Sequence, residues 1–325
     1  MLTEYIDSPE RAARIILEGG LVAFPTETVF GIGVDATNED AVAKLFEAKG
    51  RPGNNPLIVH LDDGHHWARA ASELPMVAEA LLDVFWPGPL TLVLPKLPTI
   101  SEKVTAGLST VGVRVPDNSI AREILRIAAV PVAAPSANRS GRPSGTTWQA
   151  VAEDLDGRID AIFTADSTTI GIESTVVDCS GPLPVLLRPG AITLQQLQRV
   201  APATTEFSAD AKGRMVASAK QVNSPGILHP HYQPSAKVFM VELPPTGVSV
   251  DVSAVSAFCG IEGGPGIDGF ALSRIFGSIE EYAAGFYEFL REVDRQSCEN
   301  VFVQAASGEG IGLALRDRQR RAAGG

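Results

Sequence analysis

Apolar residues along the chain recur at helical spacing in some stretches and gather into short uninterrupted runs in others. Ala12, Ile15 and Ile16 share one helical face behind Ser8 and Pro9, an N-cap and a first helical position, and Gly19-Gly20 ends the pattern. LVAF (21–24) follows as a short buried strand. Asn38 then caps a helix in which Val42, Leu45 and Phe46 recur, and LIVHL (57–61) resumes as a strand.

The alternation continues through a helix near 75–85, strands at LTLVL (90–94) and VGVRV (111–115), a helix near 119–127 and a strand at PVAA (131–134). Further strands are expected at AIFT (161–164), STVVD (174–178) and VLL (185–187), then a helix near 194–199. From about 204 to 234 the pattern dissolves into small and polar residues ending in NSPGILHPHYQPS, which reads as a linker. Beyond it SAKVFMVEL and NVFVQA read as strands, 278–295 as an amphipathic helix and GIGLALRDRQRRAA as a closing helix. The pattern predicts an α/β sheet domain over 1–205, a linker over 206–234 and a smaller α/β domain over 235–325, without fixing the order of the strands.

Composition narrows the function more than the fold. A chain of 325 residues exceeds one ordinary core, and its formal charge of −11 argues against a broad, sequence-independent grip on nucleic acid. Cys179, Cys259 and Cys298 are far apart and odd in number, which suggests neither a disulfide framework nor a zinc site. The acidic N-terminus lacks the basic-then-apolar pattern of an export signal, and ILRIAAVPVAAP is too short and too interrupted to span a membrane. A cytoplasmic protein is expected.

Two clusters carry candidate chemistry. In FEAKGRPGNNPLIVHL (46–61), Lys49 followed by Gly50 is also how an ordinary helix ends, but Arg51, Asn54 and Asn55 add donors suited to oxyanions and to a polar base or ribose. In AAPSANRSGRPSGTTW (133–148), an apolar strand gives way to Ser136, Asn138, Arg139, Ser140, Arg142 and Ser144 just before a helix start at Trp148, the setting of a phosphate site. Arg114 and Arg188 lie in strand settings, where a half-buried guanidinium needs an anion from the protein or from a ligand. Glu173-Ser174-Thr175 is balanced between a strand edge and a site. His60 ends the strand after the cationic loop, whereas His65, His66, His229 and His231 match no zinc spacing, and no metal site is expected. A P-loop is excluded, GPGIDG (264–269) precedes a strand-like FALSRIF instead of a helix, and no G-x-S-x-G is present.

Taken in order, FPTETVFGIGVDA, KGRPGNNPLIVHL, TVGVRVP, APSANRSGRPSGTT, GIESTVVD and LLRPGAIT resemble the YrdC-like domain of the L-threonylcarbamoyladenylate synthase family, over residues 1 to about 205. SPGILHPHYQP and GEGIGLALRDRQRRAA resemble its long, two-domain form. The resemblance implies a twisted open α/β sheet domain followed by a smaller Rossmann-like one. It implies condensation of L-threonine, bicarbonate or carbon dioxide, and ATP with Mg2+, releasing pyrophosphate, and a product passed to a tRNA threonylcarbamoyl transferase. Its Lys-x-Arg and Ser-x-Asn elements fall on Lys49-Gly50-Arg51 and Ser136-Ala137-Asn138, tied to nucleotide and phosphate binding. By the same resemblance Arg51, Asn55, Thr110, Ser136, Ser144, Arg188 and the linker's Ser224 contact ATP, and Thr28, His60, Arg114, Ala134 and Ser174 hold threonine or its carbamate. Lys49 and Arg51 are the expected catalytic cations. The linker reads HPHYQP where the family has Lys-His-Tyr-Ala-Pro, so no lysine role transfers to Pro230, and the linker is expected to form a lid.

Two rivals stand beside this. A YrdC-like domain with a basic concavity suits structured or double-stranded RNA, which the net charge and the 6% aromatic content oppose. Carbamoyltransferases of hydrogenase maturation also carry such domains, with zinc-finger-like cysteine pairs that this chain lacks.

Overall fold

The computed structural model describes residues 2–207, 232–242, 255–262, 269–308 and 310–324. Ser224, Pro230, His229, His231 and residues 208–231 of the expected lid lie outside the described residues, whereas 206–207 and 232–234 of that linker are described.

The local signals in the first domain act as their chemistry requires. Ser8 accepts from the Arg11 amide at 3.2 Å to start the helix Pro9–Leu17, and Asn38 accepts from Ala41 at 3.1 Å to start Glu39–Lys49. Gly50 closes that second helix at φ 61°, a left-handed conformation that a side chain would strain. Thr147 caps Trp148–Leu155.

Eleven strands form one mixed sheet, with Glu4–Ile6 at one edge and Thr205–Glu206 at the other. At its centre Ile58–His60 runs parallel to Thr110–Arg114, with His60 opposite Arg114. Both side chains therefore stand at the carboxyl ends of neighbouring parallel strands, where open α/β sheets bind ligands. Leu90–Pro95 pairs with Thr110–Arg114 on one side and with Thr175–Asp178 on the other, which brings Ser174 to the same neighbourhood. Apolar residues cover both faces, Leu45, Val59, Leu92 and Val113 in one cluster and Ile16, Phe24 and Leu125 in the other.

The pattern of alternation does not mark the strand Gly31–Asp35, because its two glycines are poor strand formers. Packing explains them: a Cβ on Gly33 would sit 2.5 Å from the Phe24 ring. Glu4–Ile6 and Ser256–Gly260 are likewise strands found only in the fold.

The second domain is a four-stranded parallel sheet in the order Lys237–Val241, Asn300–Gln304, Ser256–Gly260, Leu272–Ile275. The helices Ile279–Arg295 and Ile311–Ala322 supply its core with Tyr282, Phe286, Leu290 and Leu315. Val29 and Ile172 of the first domain join that core, so the two domains share buried apolar surface. Their backbones meet at Gly171, where a Cβ would fall 2.4 Å from the Ala284 Cα.

Candidate active site

A cleft of about 740 Å³, counting its open mouth, lies above the carboxyl ends of the central strands. One wall is Lys49, Arg51, Ser136 and Asn138, and the other is Glu173, Ser174 and Arg188. Thr28, His60, Arg114 and Ala134 form the floor, and Tyr232 closes one side.

The first wall is organised by a buried cation. Lys49 donates its ammonium to the carbonyls of Ser136 and Asn138, and its own carbonyl accepts from the Ser140 amide at 2.9 Å. The amide group of Asn138 donates to the carbonyls of Arg139 (2.8 Å) and Arg142 (2.9 Å), while its oxygen accepts from the Ser136 hydroxyl. The Ser-x-Asn loop is thus wired internally and to the end of the helix Glu39–Lys49. Burial, with the neighbouring Arg51 charge, pushes the Lys49 ammonium well below its ordinary range, partly opposed by Asp154. Arg51 braces its own loop through the carbonyls of Asn55 (3.3 Å) and Pro56 (3.1 Å). Burial lowers it to about 10, so it stays cationic at neutral pH.

On the floor, Arg114 finds its anion within the protein: Glu27 Oε1 lies 2.7 Å from a terminal nitrogen, an ionic contact without the angle of a hydrogen bond. The other terminal nitrogen donates to Thr28 Oγ1 at 2.9 Å, and Nε to the Gly88 carbonyl at 3.3 Å. His60 is 3% exposed, and burial together with the Arg114 charge lowers its imidazole to about 3, leaving it neutral at pH 7. Its Nδ1 has no hydrogen-bond partner among the described residues.

In the second wall, Arg188 donates to the carbonyl of Ser174 at 3.1 Å and to its hydroxyl at 3.2 Å, and that hydroxyl also meets Thr91 Oγ1 at 2.8 Å. Beside it, Glu173 accepts from Ser144 at 2.7 Å on one oxygen, and from Tyr287 and Arg318 of the second domain at 3.0 Å each on the other. Burial raises the Glu173 pKa, but the Arg318 and Arg188 charges and the hydrogen bonds outweigh it and bring it to about 2.

Ten of the residues assigned a binding or catalytic role from the sequence line this cleft, Lys49, Arg51, Ser136, Asn138, Arg188, Thr28, His60, Arg114, Ala134 and Ser174, and so do Ser140 and Glu173, which the sequence singled out without a role. Three described residues with such a role do not. Asn55 is buried behind Arg51, and the Ser144 hydroxyl is turned to Glu173. Thr110 begins the strand that ends at Arg114, about 13 Å away by strand rise. Thr26, Glu27, Tyr232, Tyr287 and Arg318 escaped sequence reasoning. The threonines and glutamate of PTET were the available signal for the first two, and nothing local marks Arg318 within its basic helix.

Residues 14–190 match the Sua5, YciO and YrdC family model, described as telomere recombination, and 192–324 match the model described as threonylcarbamoyl-AMP synthase, C-terminal domain. The chain is 41% identical to a threonylcarbamoyl-AMP synthase of Pyrococcus abyssi, over 96% of this chain and 93% of the relative. It is 40% identical to one of Bacillus subtilis, over 97% and 92%. The crystal structure of P. abyssi Sua5 complexed with L-threonine superposes with a TM-score of 0.89 at 37% identity, covering 100% of this chain and 98% of that one. With two adjoining family models and relatives aligned along nearly its whole length, the chain belongs to the two-domain threonylcarbamoyl-AMP synthase family.

Proposed function

We propose that this protein is a nucleotidyltransferase that makes L-threonylcarbamoyladenylate from L-threonine, bicarbonate or carbon dioxide, and ATP, releasing pyrophosphate, for modification of tRNA. The observation that carries this assignment is the cleft, in which a cationic wall faces a floor of hydroxyls, a neutral imidazole and Arg114, in a chain with synthase relatives over nearly its full length. Two kinds of group are brought together: donors for a polyphosphate, and donors for a small polar amino acid.

Arg51, Arg188, Ser136, Asn138 and, behind them, Asn55, Ser144 and Thr110 are assigned to the ATP side. Ser224 is assigned there too, and it lies outside the described residues. Thr28, His60, Arg114, Ser174 and the backbone at Ala134 are assigned to threonine. The threonine amine and carbon dioxide form an N-carboxylate with loss of a proton, or bicarbonate does so with loss of water. Its oxygen then attacks the α-phosphorus, the new O–P bond forming as the bond to pyrophosphate breaks. No protein nucleophile is needed. Positioning and the Lys49, Arg51 and Arg188 charges stabilise the developing phosphoryl charge.

Mg2+ fits as a companion of the nucleotide. Among the described residues no cluster of three His, Cys, Asp or Glu could hold a metal, and the lining carboxylate Glu173 is engaged by Ser144, Tyr287 and Arg318. The ion would neutralise pyrophosphate charge. We further assign the reaction to the cytoplasm, with the product passed to a tRNA threonylcarbamoyl transferase. No described helix is long and apolar enough to cross a membrane.

Incubation with ATP, Mg2+, bicarbonate and either threonine or serine tests the assignment by pyrophosphate release. Threonine-dependent release is expected; release indifferent to the amino acid, or none, would overturn it.

A further inference from the structure

The second domain does more than share a core with the first. Arg318, in the helix Ile311–Ala322, is fully buried and reaches across the domain interface. Its Nε donates to Glu173 Oε2 at 3.0 Å, and a terminal nitrogen donates to the Pro189 carbonyl at 3.1 Å. Those acceptors belong to two separate segments of the cleft wall. Glu173 precedes Ser174, and Pro189 follows Arg188, so one guanidinium ties together the segments that present both side chains to the cleft.

We propose that Arg318 is a positioning residue of the active site, a clamp supplied by the second domain that sets Ser174 and Arg188 at the distance the substrates require. This rests on the synthase assignment above. Neighbouring geometry supports it. Arg188 and Ser174 are bonded to each other at 3.1 and 3.2 Å, and Gly190 packs so closely that a Cβ would lie 2.3 Å from the Thr175 amide. The two segments therefore move as one unit or not at all. Ser144 is drawn in through Glu173 Oε1, and Tyr287 of the second domain shares Glu173 Oε2 with Arg318. A buried ion pair is a costly way to join two domains when apolar residues would do, but it fixes one geometry.

The test uses the full chain and reads melting temperature, kcat and KM for threonine in the pyrophosphate assay, and threonine affinity by calorimetry. Arg318→Met is expected to weaken threonine about tenfold or more in both KM and affinity, with kcat changed by less than about threefold. Arg318→Lys, which keeps the charge and one donor direction, is expected to recover most of that loss. Arg295→Met removes an interface contact to Glu153 on the surface, 2.8 Å long, and is expected to leave KM within about twofold. A folded Arg318→Met protein with wild-type KM and affinity would overturn the clamp, as would equal losses in Arg318→Met and Arg295→Met. Should Arg318→Met not fold, Arg318→Lys and Tyr287→Phe decide: a KM raised about threefold in each supports the clamp, and unchanged KM in both overturns it. Wild-type protein without threonine-dependent pyrophosphate release would instead remove the synthase assignment, while calorimetry would still report the clamp.

Discussion

The Lys49 ammonium makes its bonds inside the first domain, although Arg291 of the second reaches the same loop through the Pro143 carbonyl (2.6 Å) and Asp154 (2.8 Å), whereas the Glu173 carboxylate is itself held by side chains that arrive 114 and 145 residues later from the second. Both use one buried charge to gather backbone from separate segments, because an ionic donor surrounded by low dielectric makes strong, directional bonds. They differ in which charge the second domain reaches directly. Lys49 is paired entirely from the first domain, whereas the Glu173 carboxylate takes two of its three hydrogen bonds from the second. Wall identity and domain organisation are therefore linked in this protein, and substrate affinity should report on the interface.

Removing the Glu173 charge breaks the second wall most severely. Glu173→Gln leaves Arg318 buried beside a neutral partner, with Asp317 at 2.7 Å as its remaining carboxylate, and should cost about 3 kcal/mol in denaturant unfolding. Combining it with Arg318→Met should return part of that loss, a coupling of about 1–3 kcal/mol. Additive losses would show that the two side chains do not act as a pair.

The first wall should be somewhat less costly to break. Lys49→Met leaves the carbonyls of Ser136 and Asn138 without their shared donor, at about 2 kcal/mol, and should lower turnover on the order of 100-fold as the loop and its charge are lost together. Unlike the Glu173 change, it should leave the docking of the second domain intact. Limited proteolysis checks this: faster cleavage near the domain junction in Lys49→Met would show that loss of the Lys49 bonds passes to the docking through the loop that Arg291 also holds.

At neutral pH the floor gives the smallest effect, and it becomes visible as pH is lowered. His60 falls from 6.5 to about 3 on folding, so the unfolded chain binds more protons between those values and stability declines as pH is lowered through that window. At pH 5 this amounts to roughly 2 kcal/mol. Glu173, lowered from 4.5 to about 2, adds stability that is present above 4.5 and lost as pH falls toward 2. His60→Gln should therefore flatten the melting-temperature profile between pH 6.5 and 4.5 and leave the steeper acid limb below it. Identical profiles for the two proteins would exclude His60 as the cause.

Much of the first wall was legible in the sequence. KGRPGNN and PSANRSG each concentrate donors in a loop beside an apolar strand, and polar groups crowded next to a core need partners. The caps at Ser8, Asn38 and Thr147 were equally plain, since capping is settled within a few residues. Less was visible where local preference and packing disagree. GIGVD reads poorly as a strand, yet Gly33 is needed there because the Phe24 ring leaves no room for a side chain. Glu173 stood evenly between a strand edge and a site, and Tyr287 and Arg318 looked like ordinary members of amphipathic helices.

By itself the sequence determined the alternation of strand and helix, the helix ends, the presence of two cation-and-hydroxyl loops and the resemblance that joined them, because each depends on neighbours a few residues apart or on an ordered set of motifs. Only the tertiary structure decided that His60 and Arg114 stand opposite one another, that Glu27 supplies the anion for Arg114, and that Arg318 reaches Glu173. Strand register and domain docking create those pairs. Their partners are chosen by burial and distance in space, which no local spacing along the chain encodes.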